Sequence, residues 1–435
     1  MAAAAVKSLP SALPTALNAP LPVPQSSVAL TLPDAGNTAW VITASALVLF
    51  MTLPGLALFY GGLVRQKNFL SILMQCFGIT ALASLLWVAI GYSIAFAPGN
   101  GFSGGLENLW LAKLADVRSG TSVPENVFAL FQMTFAIITP ALFIGAFVER
   151  VRFMWLMAFS GLWLLVVYAP VTHWVWGGGW LATLGAVDFA GGIVVHTTAG
   201  ITALITAIMV GRRNGFPQHL MLPHSPVLTL AGAGMLWVGW FGFNGGSALG
   251  ANASAGSAIL ATHMGASAAA LVWIMLERIK VGKPTSIGIA TGAIAGLATV
   301  TPAAGFISAP AAIALGALGS LICFYAVHLI RFRLKIDDSL DVFAVHGVGG
   351  ITGSLLVAVL MSPTFGGAGY ADGMAMGSQL GAQALAILVV ALWSALASVV
   401  LGYGLSRIWS MRVNAEDERD GLDLASHGER AWDMD

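Results

Sequence analysis

The sequence predicts an all-α polytopic membrane protein with eleven transmembrane helices, arranged as two inverted five-helix repeats plus a peripheral eleventh helix. Three observations carry this reading. Of 435 residues, 57% are hydrophobic and only 9% charged, and the mean hydropathy is +0.85. Soluble domains carry roughly 25% charged residues, so 38 charges are too few to cover a soluble chain of this length. The apolar runs are long and continuous rather than alternating, which excludes a β-barrel. Finally, the sparse charges divide the chain into runs of membrane-spanning length. An ordinary soluble enzyme, a nucleic-acid binder and a disordered regulator are thereby excluded. The zero formal net charge leaves no basic field for nucleic acid.

A spanning helix needs about 20 mostly apolar residues. One such run lies between Asp34 and Arg65, and a second between Lys67 and Glu107. The third lies between Glu125 and Glu149, the fourth between Arg152 and Asp188, the fifth between Asp188 and Arg212. The 63 uncharged residues from Arg213 to Glu277 make two helices with a turn near Ala251-Asn252-Ala253-Ser254. The 47 between Lys283 and Arg331 make two more, broken near Thr301-Pro302 or Ser308-Ala309-Pro310. A tenth run separates Asp341 from Asp372, and the last ends at Arg407.

The chain divides into residues 1–37, a membrane domain 38–407 and a tail 408–435. Residues 8–33 are also uncharged but hold six prolines, each lacking the N–H a lipid-embedded helix needs. With Lys7 as the sole early charge and no uninterrupted apolar core, this stretch is expected to be a periplasmic extension or a processed segment. Sixteen of the 19 Lys and Arg follow odd-numbered helices; only Lys7, Lys113 and Arg118 fall on the other side. The positive-inside rule then puts the N-terminus outside and the C-terminus in the cytoplasm. Cys76 and Cys323 lie far apart in apolar runs and form neither a disulfide framework nor a metal spacing.

The first ten helices fall into two halves. Asp188 precedes His196 by eight residues and Asp341 precedes His346 by five, with the histidines 150 residues apart. A unit that crosses five times puts its copy upside down, and inverted repeats enclose sites near the midplane. His196 lies about 12 Å beyond Asp188 at helical rise, near mid-bilayer, where an ionisable group is costly. No third ligand stands at metal spacing. The two imidazoles could share a proton and line a narrow pore, or be unrelated core histidines. His263 and His328 also fall within spans, without an echo, and are expected to be structural. His173 is placed after the fourth helix, and His219 and His224 in a loop, with no special role. Asp188 opens the fifth helix, where a carboxylate satisfies free amides. Phe131 and Phe135 share one helix face. Trp176 and the run Trp240-Phe241-Gly242-Phe243-Asn244-Gly245-Gly246-Ser247 sit at the outer side. A Trp face, Phe edges and one hydroxyl suit a small cation, although most of the 14 Trp are expected to form an interface belt.

Taken together, Asp188-Phe189-Ala190-Gly191-Gly192, Val195-His196 and Gly211-Arg212-Arg213 resemble the signature of the Amt/Mep/Rh ammonium transporter family, in its bacterial Amt branch. Leu58-Phe59-Tyr60-Gly61-Gly62, Trp176-Gly177-Gly178-Gly179, Asp341-Val342-Phe343 and His346-Gly347 extend the resemblance over roughly residues 38–432. The resemblance implies a homotrimer in the bacterial inner membrane that carries ammonium, with a pore in each subunit and no enzymatic activity, cofactor or metal. Trp176, Phe135, Ser247 and Phe131 would recruit NH4+. Phe135 and Phe243 would be the gate, His196 and His346 the twin-histidine pore, Asp188 a supporting carboxylate, and Phe59 and Val342 the inner lining. The tail around Glu418-Arg419-Asp420-Gly421-Leu422-Asp423 and His427-Gly428-Glu429 would be regulatory, with a PII signalling protein docking on that side; Trp432 stands where a Tyr is usual. The alternatives are an ammonium sensor signalling through the tail, for which 408–435 is expected to be too short, a membrane enzyme with a histidine metal centre, and a neutral-gas or urea-type channel.

Overall fold

The structure is a computed structural model that describes residues 32–218 and 221–432. The proline-rich stretch 1–31 and His219 lie outside the described residues.

Eleven helices among the described residues are long and apolar enough to cross a membrane: α1 Ala35–Leu63, α2 Gln66–Phe96, α3 Glu125–Ala146, α4 Phe153–Thr183, α5 Gly192–Val210, α6 Pro226–Gly246, α7 Ala253–Lys280, α8 Ser286–Ala303, α9 Ala309–Arg333, α10 Phe343–Leu360 and α11 Met376–Ser406. Sparse charges and caps set their limits. Asp34 caps α1 by accepting from the Asn37 amide, and Asn252 does the same for α7 through Ala255, at the expected turn. Of the two breaks offered between α8 and α9, Thr301-Pro302 remains inside the last turn of α8. The chain leaves the helix only afterwards, and Ser308 caps α9 with Pro310 in its first turn. Proline there costs nothing, because its missing N–H would be unpaired anyway.

The helices pack as two halves. Helix α1 lies along α6, and the start of α5 touches the start of α10, so equivalent elements meet across the interface. Helix α3 is 83% buried over its most apolar window and α11 only 33%, which makes α11 peripheral. Its exposed Leu388, Leu392, Leu396 and Val400 recur every four residues, an apolar stripe along one side. Its inner face carries Gln383, whose amide accepts from Val187 N and donates to the Val187 and Ser354 carbonyls, each at 2.8 Å.

At the end opposite Trp176, charges knit the loops together. Glu149 is buried and receives Arg65 and Arg213, each at 2.8 Å, and Arg213 also binds Asp337 at 2.7 Å. Burial pushes the Glu149 carboxyl up, but the two guanidinium groups outweigh it and hold it below its ordinary value. Arg150, also buried, is pushed down to about 10 by desolvation, against the pull of Asp337. Two short tail helices, α12 Ala415–Asp420 and α13 Leu422–His427, close over this layer. The Asp423 carboxylate accepts from the Leu70 and Ser71 amides at the start of α2, and Arg412 binds Glu418 at 2.7 Å. Trp432 rests against Phe69, with ring centroids 5.7 Å apart.

Candidate functional site

The site grows from the first turns of α5 and α10. Asp188 accepts from the amides of Gly191, Gly192, Ile193 and Val194 at 2.7–3.0 Å. Its carboxylate is therefore filled by the backbone that starts α5. Gly191 permits this with φ +120°, where a Cβ would stand 2.6 Å from the Val195 side chain. The chain then forms a π-helical turn, Gly192–Thr197, that carries His196. In the second half Asp338, not Asp341, has this role, accepting from the Val342 and Phe343 amides at 3.0 and 2.7 Å. A second π-helical turn, Phe343–Gly347, carries His346. Asp341 instead pairs with Arg331 at 2.7 Å. The sequence echo is thus Asp188 to His196 and Asp338 to His346, eight residues in each case. The five-residue spacing from Asp341 was the wrong pairing, because three acids lie within five positions and only backbone geometry tells them apart.

The two histidines meet. Their Nδ1 atoms are 3.3 Å apart and their rings are inclined by 22°. Both are buried. At that distance one Nδ1 donates and the other accepts. Close backbone approach allows it: a Cβ on Gly200 would lie 2.2 Å from Gly347 Cα. Trp240, which opens the run expected at the outer side, instead lies deeper, over His196 at 5.7 Å and 20°, with its Nε1 donated to Thr301. The pair borders a narrow cavity of about 10 Å³, room for about one water centre. Phe59, Ile138, Leu142, Leu236 and Ile294 complete much of its apolar wall. Val342 is not in that wall; it is buried beside Gly145 and Tyr60. The lining hydrophobes Ile138, Leu142, Leu236 and Ile294 carried no signal in the sequence, because nothing separates them from other span residues.

Phe243 closes the cavity toward the Trp176 end. It stacks on Phe135 with centroids 4.3 Å apart, Phe131 meets Phe135 edge-on at 5.0 Å, and Trp176 stands perpendicular to Phe135 at 5.8 Å. Trp176 donates its Nε1 to the Asp188 carbonyl at 2.7 Å. Ser247, at the end of α6, donates its hydroxyl to the Phe243 carbonyl, leaving its oxygen lone pairs to accept. The α6 cap thereby places an acceptor one residue past Gly246, on whose Cβ position the Phe131 ring closes to 2.7 Å.

His263 and His328 are exposed on α7 and α9 and do not join this group. His224 lies in a loop with Nδ1 at the Val64 carbonyl. His173 does not follow the fourth helix but lies inside it, in the α-helical segment Ala169–Val175 that precedes the Trp176–Gly179 turn. Among the described residues no group of three or more His, Cys, Asp or Glu could hold a metal ion.

Residues 39–432 match the family model described as Ammonium Transporter Family. The chain is 44% identical to a protein of Aquifex aeolicus named ammonium transporter, over 92% of this chain and 94% of that one. It is 43% identical to Amt1, an ammonium transporter of Archaeoglobus fulgidus, over 91% and 99% of the two. A solved structure titled Sensor Amt Protein is 31% identical, with a TM-score of 0.84 over 90% of this chain and 98% of that one. Mep2 of Saccharomyces cerevisiae is 35% identical, with a TM-score of 0.79 over 89% and 92%.

Proposed function

This chain belongs to the ammonium transporter family, and from that premise we propose that it recruits NH4+ at Trp176, strips a proton from it, and passes NH3 through the cavity beside His196 and His346. The carrying observation is the sequence of environments: aromatic faces and a hydroxyl acceptor, then a closed Phe135–Phe243 stack, then an apolar cavity whose polar feature is a paired imidazole.

Chemistry favours this order. A ring face attracts a desolvated cation by about 0.5–2 kcal/mol, enough to concentrate ammonium at Trp176 without trapping it. The apolar cavity beyond opposes any charge, with a penalty of several kcal/mol per ion. Ammonium avoids that penalty by giving up a proton; potassium, of similar size and charge, has none to give. Selectivity then follows from acidity rather than size. The released proton either crosses separately through the Nδ1–Nδ1 contact of His196 and His346, as in an electrogenic carrier, or returns to the water on the Trp176 side, as in passive NH3 conduction. Trp176, Phe135, Ser247 and Phe131 form the recruiting group in this reading, Phe135 and Phe243 the gate, and Phe59 part of the cavity wall, with Val342 packed outside that wall beside Tyr60. Asp188 acts through the fold of α5 rather than on ammonium.

The same reading puts the protein in the bacterial inner membrane, with Trp176 outside and the tail in the cytoplasm. It assembles as a homotrimer whose tail face receives a PII signalling protein. The docked tail also suits a sensor, and flux separates that role from transport. Purified protein in proteoliposomes on a solid-supported membrane is challenged with ammonium and potassium pulses. An ammonium-specific current, reduced at least tenfold in His196→Ala/His346→Ala, is expected for an electrogenic carrier. Internal alkalinisation without current would indicate passive NH3 conduction. Absence of both would overturn transport through this cavity.

A further inference from the structure

His173 precedes Trp176 by three residues and is buried at the same end of α4. Its Nδ1 lies 3.0 Å from the Ala95 carbonyl oxygen, and its Nε2 lies 2.7 Å from the Asn100 carbonyl oxygen. Both partners are carbonyls, which only accept. A neutral imidazole has one N–H and one bare lone pair. It can satisfy one of these oxygens, but then turns its lone pair on the other at bonding distance. An imidazolium donates to both.

We propose that His173 is held as a buried imidazolium, and that its two hydrogen bonds clamp α2 and the 97–104 loop onto the end of α4 so as to position Trp176. The surrounding contacts show how the clamp reaches Trp176. The His173 carbonyl accepts from the Gly177 and Gly179 amides at 3.1 and 2.9 Å, forming the turn that presents Trp176. That turn passes through the gap the clamp defines: a Cβ on Gly177 would lie 2.1 Å from the Ala95 oxygen and 2.8 Å from His173 Nδ1. Trp174 and Trp180 sew the same segment to the loop, donating to the Phe102 and Gly101 carbonyls. Trp176 itself is pinned on its far side by the Asp188 carbonyl.

The charges around the ring fit this assignment. Glu107, Lys113 and Arg118 from the loop after α2, and Glu125 from the start of α3, line with His173 an open cavity of about 970 Å³. Glu125 is taken up by Arg118 at 3.2 Å and by the Tyr92 hydroxyl at 2.7 Å. The Asp188 carboxylate, before α5, is filled by four amides. The His173 charge is thus met by carbonyl dipoles, with no carboxylate needed to hold the ring in place. His173 is a positioning residue here: it acts through Trp176, and this consequence rests on the recruiting role proposed above for Trp176.

The test needs no variant to read the protonation state. The full-length protein in liposomes is labelled with [15N]histidine and [1-13C]asparagine. Solid-state NMR selects the ring nitrogen in contact with the Asn100 carbonyl. The expected result is a ring with both nitrogens protonated; one protonated and one bare nitrogen would overturn the imidazolium. For positioning, His173→Gln is expected to raise the ammonium KM about tenfold, as loss of a hydrogen bond to a charged group predicts, with maximal rate little changed. Gly177→Ala, which pries the same gap, is expected to do likewise. An unchanged KM in both, where Trp176→Ala raises it, would overturn positioning. If Trp176→Ala leaves KM unchanged, the recruiting reading fails while the NMR result still decides the state of the ring.

Discussion

Asp188 shows how a single carboxylate can build a site without touching what passes through it. Four amides converge on its two oxygens: that of Gly191 just before α5, and the first three free donors of α5 itself. Replacing it by Ala strands those donors in the protein interior, at about 1–3 kcal/mol for the first that stays unpaired. Asp188→Ala is therefore expected to lower the thermal midpoint in detergent by several degrees, and Asp188→Asn by less. A variant that melts like the wild type yet loses ammonium current would show that the carboxylate acts on the ion instead. At this scale the sequence was partly legible. His196 and His346 stood out because titratable groups at membrane depth are costly and kept for a reason. Asp338 did not, since Asp337, Asp338 and Asp341 look alike until the amides of α10 are placed: the first pairs with Arg213, the second caps, the third pairs with Arg331. His173 gave no sign of a special role, because both its partners are backbone carbonyls and leave no trace in side-chain identity.

Helices α5 and α10 bring the imidazoles together only because they cross with almost no side chain between them. Gly200 and Gly347 are the point of contact, four residues past His196 and one past His346. A methyl group at Gly200 would overlap the Gly347 backbone, which neither helix can relieve by rotating a side chain. Gly200→Ala is expected to destabilise the protein by about 1–3 kcal/mol and to part the imidazoles, seen as a lower thermal midpoint together with a reduced ammonium current. Full current at a lowered midpoint would mean that the pair tolerates separation. The spans themselves were readable from charge spacing alone, as was the turn before α7. The π-helical turns that aim His196 and His346 were not, since they arise where an extra residue is accommodated against the opposite helix. The break between α8 and α9 fell after Pro302 because a proline in a terminal turn loses little.

Across the whole molecule, one end gathers Trp176 and the outer loops, and the other gathers the Glu149 network and the tail. Ser119 and Ser426 are exposed at these two ends, and Cys76 and Cys323 are buried. A membrane-impermeant thiol reagent on intact cells is therefore expected to label Ser119→Cys and not Ser426→Cys; the reverse pattern would invert the proposed orientation. The amino-acid sequence by itself determined the solvent, the number of spans and the rhythm of charges between them. Those follow from hydropathy and from the price of burying a charge in lipid, which are properties of single residues and short runs. Tertiary structure alone decided which acid caps α10, which hydrophobes wall the cavity, how Trp240 covers His196 and how His173 is bound. Each of these depends on two segments far apart in the chain meeting within a few ångströms, and on backbone atoms that every residue shares.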